Sequence, residues 1–218
     1  MIELHDIEKE YTRGAEKVHA LRGVNLTIKS GEFITIVGPS GSGKTTMLHI
    51  LGCLDQPSRG IMKIDGQEVE NLPESELVRI RREKIGFVFQ QFHLIPGLSV
   101  FENITLPLLF SRKEIEKEKI MLLLDLVGLE NRQSHNPNQL SGGEMQRVAI
   151  ARAMVNDPEV IFADEPTGNL DTENGEKIFN LFKSLHSRGL SIVMVTHNNE
   201  LAMRSERIIS LKDGKIQN

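Results

Sequence analysis

The chain has 218 residues, 39% of them apolar with 18 glycines besides, which is the make-up of a folded globular domain and excludes wholesale disorder. Lys and Arg (26) fall short of Asp and Glu (30), and a net charge of −4 argues against a nucleic-acid partner, because sequence-independent binding needs many phosphate-neutralising cations. A single cysteine, Cys53, excludes an intramolecular disulfide or a multi-cysteine zinc site.

The N-terminus, Met1-Ile2-Glu3-Leu4-His5-Asp6, lacks a signal-peptide pattern. No stretch reaches the roughly 18–20 apolar residues that span a bilayer. A soluble, cytoplasmic chain without direct membrane insertion is expected. Ile2, Leu4 and Ile7 suggest a first strand. Val24, Leu26 and Ile28 alternate with Asn25 and Thr27, the period-2 mark of a half-buried strand. Phe33–Val37 is almost continuously apolar, as a strand buried on both faces should be. Met47, Leu48, Ile50 and Leu51 follow as a helical pattern, then a strand over Ile61–Ile64 with a turn at Asp65-Gly66.

Residues 92–158 read as a helical insertion in an α/β core. Within it Ile120, Leu123, Leu124 and Val127 keep helical spacing, with Gly128 next. Val160–Ala163 and Ile192–Val195 are two more buried strands. Between them Ile178, Leu181, Phe182 and Leu185 form one helical stripe, closed by Gly189. Ile208–Leu211 and the turn Lys212-Asp213-Gly214-Lys215 predict a final strand and hairpin.

Gly38-Pro39-Ser40-Gly41-Ser42-Gly43-Lys44-Thr45 matches G-x-x-x-x-G-K-[ST], with the strand Phe33–Val37 before it and, past Thr46, the helical pattern of Met47, Leu48, Ile50 and Leu51 after it. Glycines let backbone N–H groups curl around phosphate oxygens, and the helix start adds unpaired donors. Lys44 would neutralise the β- and γ-phosphates, and the Thr45 hydroxyl would bind Mg²⁺. Downstream, the strand Val160–Ala163 ends in Asp164 and Glu165. Ligands sit at the carboxyl ends of such strands, so Asp164 is the expected Mg²⁺ partner and Glu165 the group that orients and deprotonates an attacking water.

In Leu140-Ser141-Gly142-Gly143-Glu144-Met145-Gln146-Arg147, Ser141 and Glu144 form a capping box. A well-capped helix would look the same. The bare glycines and the tip hydroxyl also make a second phosphate-binding surface. One nucleotide cannot easily use two such loops of one small chain, whereas a second copy could supply the second loop.

These segments, with Gln90 after Phe87-Val88-Phe89, Asn169-Leu170-Asp171, and His197 after the strand Ile192–Thr196, occur in one order along the chain. From Ile2 to Gly214 the chain resembles the ATP-binding subunit of ATP-binding-cassette (ABC) transporters. The resemblance implies a P-loop NTPase α/β core with a parallel sheet, an N-terminal antiparallel β subdomain and an inserted α-helical subdomain. It makes 1–218 one nucleotide-binding domain, with 1–91 and 159–218 as core and 92–158 helical. It implies an ATP-dependent homodimer in which the loop 38–46 of one subunit and Ser141, Gly142, Gly143 and Glu144 of the other enclose ATP. Gln90 would sense Mg²⁺ and the water, Asp171 would contact the opposite subunit, and His197 would hold the γ-phosphate. Tyr11 lies where the family places the ring that stacks on adenine, and an edge-strand aromatic is the bland alternative.

Gly52-Cys53-Leu54-Asp55 and the stretch from Gln90 to Pro107 resemble the lipoprotein-releasing and macrolide-efflux branch of bacterial ABC systems. That branch implies an integral membrane transporter subunit as partner, docked near Phe92–Phe101, and a place at the cytoplasmic face of the inner membrane. The alternative is a cell-division-type ABC ATPase regulating an extracytoplasmic process, or a non-transport ABC ATPase. A guanine-reading Asn-Lys-x-Asp motif is absent. A nucleotide-sensing module without turnover remains open, although Lys44, Asp164, Glu165 and His197 are all retained.

Overall fold

The computed structural model describes every residue except 15, 112 and 218, and every side chain among these but that of residue 13. The strands in chain order are β1 (Ile2–Arg13), β2 (Glu16–Ile28), β3 (Phe33–Val37), β4 (Arg59–Ile64), β5 (Gln67–Glu68), β6 (Ile85–Phe89), β7 (Val160–Asp164), β8 (Ser191–Val195), β9 (Arg207–Lys212) and β10 (Lys215–Gln217). The helices are α1 (Lys44–Leu51), α2 (Glu74–Lys84), α3 (Val100–Ser111), α4 (Lys117–Leu126), α5 (Gly142–Met154), α6 (Thr172–His186) and α7 (Asn199–Ala202). The chain divides into two compact units, residues 1–81 with 191 onward, and residues 82–190.

The first unit holds an antiparallel sheet in the order β2-β1-β4-β5. Its long β1–β2 pair runs from Ile2 opposite Ile28 out to Thr12 opposite Lys17. In β2 the alternation of Val24, Leu26 and Ile28 inward with Asn25 and Thr27 outward is as the sequence predicts. The same unit carries β10-β9-β3-β8, with β3 parallel to both β8 and β9. All five residues of β8 are buried, and four of the five in β3, so these apolar runs are covered on both faces.

The second unit pairs β6 with β7 in parallel, Ile85 opposite Val160 through Phe89 opposite Asp164. Helices α3, α4 and α5 close over a core that includes Val100, Ile104, Ile120, Leu124, Val148 and Ala151. The buried stripe of α6 is Ile178, Phe179, Phe182 and Leu185. Leu181 is only partly buried and leans on the helical core. Pro107 sits inside α3, and the Ser111 hydroxyl donates to its carbonyl at 2.9 Å. Parallel strands, the antiparallel N-terminal sheet and the helical cluster together give the α/β fold of a P-loop NTPase.

Helix α5 crosses β6 where a glycine lets it: a Cβ added at Gly86 would lie 2.7 Å from the Ala153 carbonyl oxygen. Gly86→Ala is expected to destabilise the protein by about 1–3 kcal/mol through overpacking. Gly97→Ala, where an added Cβ meets nothing within 4 Å, should stay within about 0.5 kcal/mol of the parent. Urea midpoints of the two variants check both.

Candidate functional site

The loop after β3 runs close against neighbouring backbone. A Cβ at Gly38 would lie 2.0 Å from the Leu211 carbonyl oxygen, and one at Gly43, where φ is +103°, would lie 2.4 Å from that of Ala20. Only glycine fits either place. Gly43 is also the N-cap of α1, which therefore starts without a side-chain cap and without an acid in its first turn. Its leading N–H groups, among them those of Lys44, Thr45 and Thr46, have no acceptor within the helix. The Lys44 ammonium donates to the carbonyls of Gly38 (2.8 Å) and Pro39 (3.0 Å), folding its charge over the loop.

Ser42 is 2% exposed, and its hydroxyl has no hydrogen-bond partner. A buried hydroxyl left so costs about 1–3 kcal/mol. The orphaned hydroxyl, the uncapped helix and the close glycines together fit a polyphosphate. His197 lies just past β8, whose Val195 is opposite Ile36 of β3, so both strands deliver their following residues to one edge. Tyr11 near the end of β1 is 39% exposed, and its hydroxyl donates to Asp55 at 2.7 Å.

In the second unit Asp164 is the last residue of β7, level with Phe89 of β6, so Gln90 and the acid pair share a strand edge. Glu165 has φ +47°, a left-handed conformation that costs a non-glycine residue about 1–2 kcal/mol. The Gly168 amide closes the turn onto the Glu165 carbonyl at 3.0 Å. Gln90 and Asn169 are tied reciprocally: Gln90 Nε2 donates to Asn169 Oδ1, and Asn169 Nδ2 to the Gln90 carbonyl, each at 3.0 Å.

Ser141 caps α5. Its amide and hydroxyl both donate to the Glu144 carboxylate at 2.8 Å, and its hydroxyl accepts the Glu144 amide at 3.3 Å. A Cβ at Gly143 would meet Asn174 Oδ1 at 2.7 Å, and one at Gly142 would touch Leu170. Asn174 in turn bonds Asp171, which is the exposed N-cap of α6. The second unit thus brings Gln90, the acid pair, Asn169 and Asp171 close to the start of α5.

Of the proposed docking stretch, Val100 belongs to the core, Leu94 and Phe101 lean on it, and Ile95 is exposed. Among the described residues no helix is long and apolar enough to cross a membrane. Among them, too, no three His, Cys, Asp or Glu residues form a group suited to a metal ion. Magnesium is ordinarily held by one or two protein oxygens together with substrate phosphates rather than by such a cage. Thr45, Gln90 and Asp164 are oxygen donors of that kind.

Residues 21–168 match the family model described as ABC transporter. This chain belongs to that family. A Thermotoga maritima ABC transporter ATP-binding protein of uncharacterised function is 51% identical over all of this chain and 94% of its own length. A macrolide export ATP-binding/permease protein, MacB of Bdellovibrio bacteriovorus, is 48% identical over all of this chain, which spans 33% of that longer protein. The solved dimeric cassette MJ0796, described as a bacterial ABC transporter cassette, superposes with a TM-score of 0.92 at 50% identity, covering 100% of this chain and 97% of that one. A second structure of that cassette, in a post-hydrolysis state with ADP and Pi, has the same TM-score at 49% identity.

Three residues of this ABC cassette carry no sequence signal of their own. Gln146, fully buried in α5, donates to the carbonyls of Pro166 (2.7 Å) and Phe89 (3.3 Å), next to Glu165 and Gln90 respectively. Arg152, three turns from the start of the helix, donates to the carbonyls of Phe92 (2.8 Å) and His93 (2.6 Å). Asn103, buried in α3, fastens the Pro96-Gly97 turn through Ile95, Leu98 and Ser99. Only knowledge of which loops they meet would single them out.

Gln146→Leu keeps the volume and removes the donor from both carbonyls. A loss of about 1–3 kcal/mol in unfolding free energy is expected, read from denaturant curves. The Ser141 amide holds the Glu144 carboxyl below its ordinary pKa against the opposing effect of burial, helped by the Ser141 hydroxyl and by Arg132. A lowered folded pKa stabilises above the unfolded value, and that stabilisation is lost as pH falls through the folded one. The stability gap between the parent and Glu144→Gln should therefore be present at neutral pH, begin to narrow as pH falls below the free glutamate value of about 4.3, and vanish only below the lowered folded value.

Proposed function

We propose that this cassette hydrolyses ATP with Mg²⁺ and drives a membrane subunit through ATP-dependent head-to-tail dimerisation. Lipoprotein release or macrolide and small-molecule efflux, worked from the cytoplasmic face of the inner membrane, is the transport we assign. The observation that carries the reading is the phosphate cradle: a partnerless Ser42 hydroxyl, the uncapped start of α1 and the folded-over Lys44 ammonium. Support for the dimer comes from the dimeric MJ0796 cassette. Support for the efflux branch comes from the macrolide export protein.

Lys44, the Ser42 hydroxyl and the amides of Gly41 and of Gly43 to Thr46 bind the β- and γ-phosphates. Tyr11 stacks on the adenine. Thr45, Asp164 and Gln90 hold the metal, which when bound neutralises charge on the phosphate oxygens. Glu165 orients the attacking water and accepts its proton, and His197 donates to the γ-phosphate and steadies that arrangement. Ser141 and Gly143 close the site from the second subunit, with Asp171 at the dimer contact.

Glu165→Gln removes the base and leaves the cradle intact. Turnover should fall by at least about 10²-fold, ATP binding should persist, and the ATP-bound dimer should accumulate in sedimentation. Ser141→Arg should abolish the ATP-dependent dimer. A dimer indifferent to nucleotide and to Ser141→Arg would overturn the mechanism.

A further inference from the structure

Lys9 and Tyr11 stand two residues apart on β1 and meet the same carboxylate. Asp55 Oδ2 accepts from the Tyr11 hydroxyl at 2.7 Å, and Asp55 Oδ1 accepts from the Lys9 ammonium at 2.6 Å and from the Gln56 amide at 2.8 Å. The ammonium also donates to the Gln56 carbonyl at 2.7 Å and lies 4.9 Å from the centroid of the Tyr11 ring, over one face. That is cation–π distance, and it covers one side of the ring. The Lys9 side chain is only 12% exposed, so the ion pair is a shielded one rather than a solvated surface contact.

Asp55 itself is tied to α1. The Leu54 and Asp55 amides donate to the His49 carbonyl, and Cys53 donates to that of Ile50. Helix α1 begins at the phosphate cradle, and the carboxylate that grips the tyrosine lies four residues past its end. Its eight residues span about 12 Å. The Tyr11 hydroxyl also meets the Thr46 side chain, in the first turn of the same helix.

We infer that Asp55 is a positioning residue for nucleotide binding: anchored to the end of α1, it fixes the rotation and height of the Tyr11 ring at a set distance from the phosphate cradle, with Lys9 closing the ring's other face. This rests on the reading of Tyr11 as the adenine platform. The titration of both groups agrees with the geometry. Burial, then the Asp55 hydrogen bond, raises the Tyr11 phenol above its ordinary value, while Thr46 works the other way. Burial opposes ionisation of Asp55, yet its bonds from Lys9, Tyr11 and Gln56 outweigh this and lower its pKa.

Tyr11 is the only tyrosine and the chain has no tryptophan, so its emission reports on this one ring. Asp55→Asn should raise that emission, because an ionised carboxylate accepting from an excited phenol quenches it. The same variant should raise KM for ATP roughly three- to tenfold, the scale of the net contribution of one ordinary hydrogen bond, with kcat retained. Inhibition by Mg²⁺-tripolyphosphate, which has no base to stack, should be unchanged. Tyr11→Phe keeps the ring and loses only the hydroxyl. It should raise KM for ATP similarly, and adding Asp55→Asn to it should change KM little further. This second variant decides the matter should Asp55→Asn fold poorly. Equal weakening of ATP and tripolyphosphate, or an unchanged KM for ATP in Tyr11→Phe, would overturn the inference while leaving ATP hydrolysis standing. A parent protein that neither binds nor hydrolyses ATP would overturn the functional reading and this inference with it.

Discussion

A parallel strand covered on both faces has nowhere to put a charge except its end. β8 is buried at every residue, β3 and β7 at all but the last. An ionised side chain inside any of them would cost several kcal/mol. Polar chemistry therefore starts where burial stops: Gly38 after β3, Gln90 after β6, Asp164 at the last residue of β7 with Glu165 next, and His197 just past β8. The hydrophobic requirement of the sheet and the placement of the chemistry are the same constraint seen from two sides. Thr35, the polar residue inside β3, shows its limit: its hydroxyl is neutral and buried without a partner, a cost of only about 1–3 kcal/mol.

In the second unit α5 converts strand ends into a fixed arrangement. The helix is capped at Ser141, and from its length Gln146 and Arg152 reach four backbone carbonyls, those of Pro166, Phe89, Phe92 and His93. Gln90 is thus held by its neighbours on both sides and through its own bonds to Asn169. A force applied at the Ser141 end acts on a helix that already holds the loops bearing Gln90 and Glu165. This follows from the bonds α5 makes and asks nothing of its flexibility. Gly86 and Gly143 let it sit this close, since a Cβ at either would meet Ala153 or Asn174 inside 3 Å.

Much of this is legible in the sequence. The alternation in β2, the apolar runs that became β3, β7 and β8, and the i, i+3, i+4 stripes of α4 and α6 are local signals, because burial on one face or both imprints a period on the sequence. The phosphate loop was legible for the same reason, its glycines and lysine being contiguous. Gln146, Arg152 and Asn103 were not, since each is a polar side chain whose partner lies far along the chain or in a turn, and no period marks it. Asp55 entered only as part of a branch motif, 44 residues from the tyrosine it grips. Phe179 joins the buried stripe of α6 and Leu181 only leans on the core. Helical spacing alone admits both, and the neighbours decide between them.

Glu165 shows what the site costs the fold. A glycine at φ +47° would adopt that conformation freely, whereas glutamate costs about 1–2 kcal/mol. The Gly168 amide bonded to the Glu165 carbonyl stabilises the turn and recovers part of it. Asp164 in the line of β7 continues the strand, and the left-handed residue after it ends the strand abruptly, so consecutive carboxylates leave the backbone in different directions. In a regular strand they would simply alternate across the sheet. The left-handed backbone at Glu165 takes that residue out of the line of β7, and the closely tied turn from Glu165 to Asn169 keeps it in place.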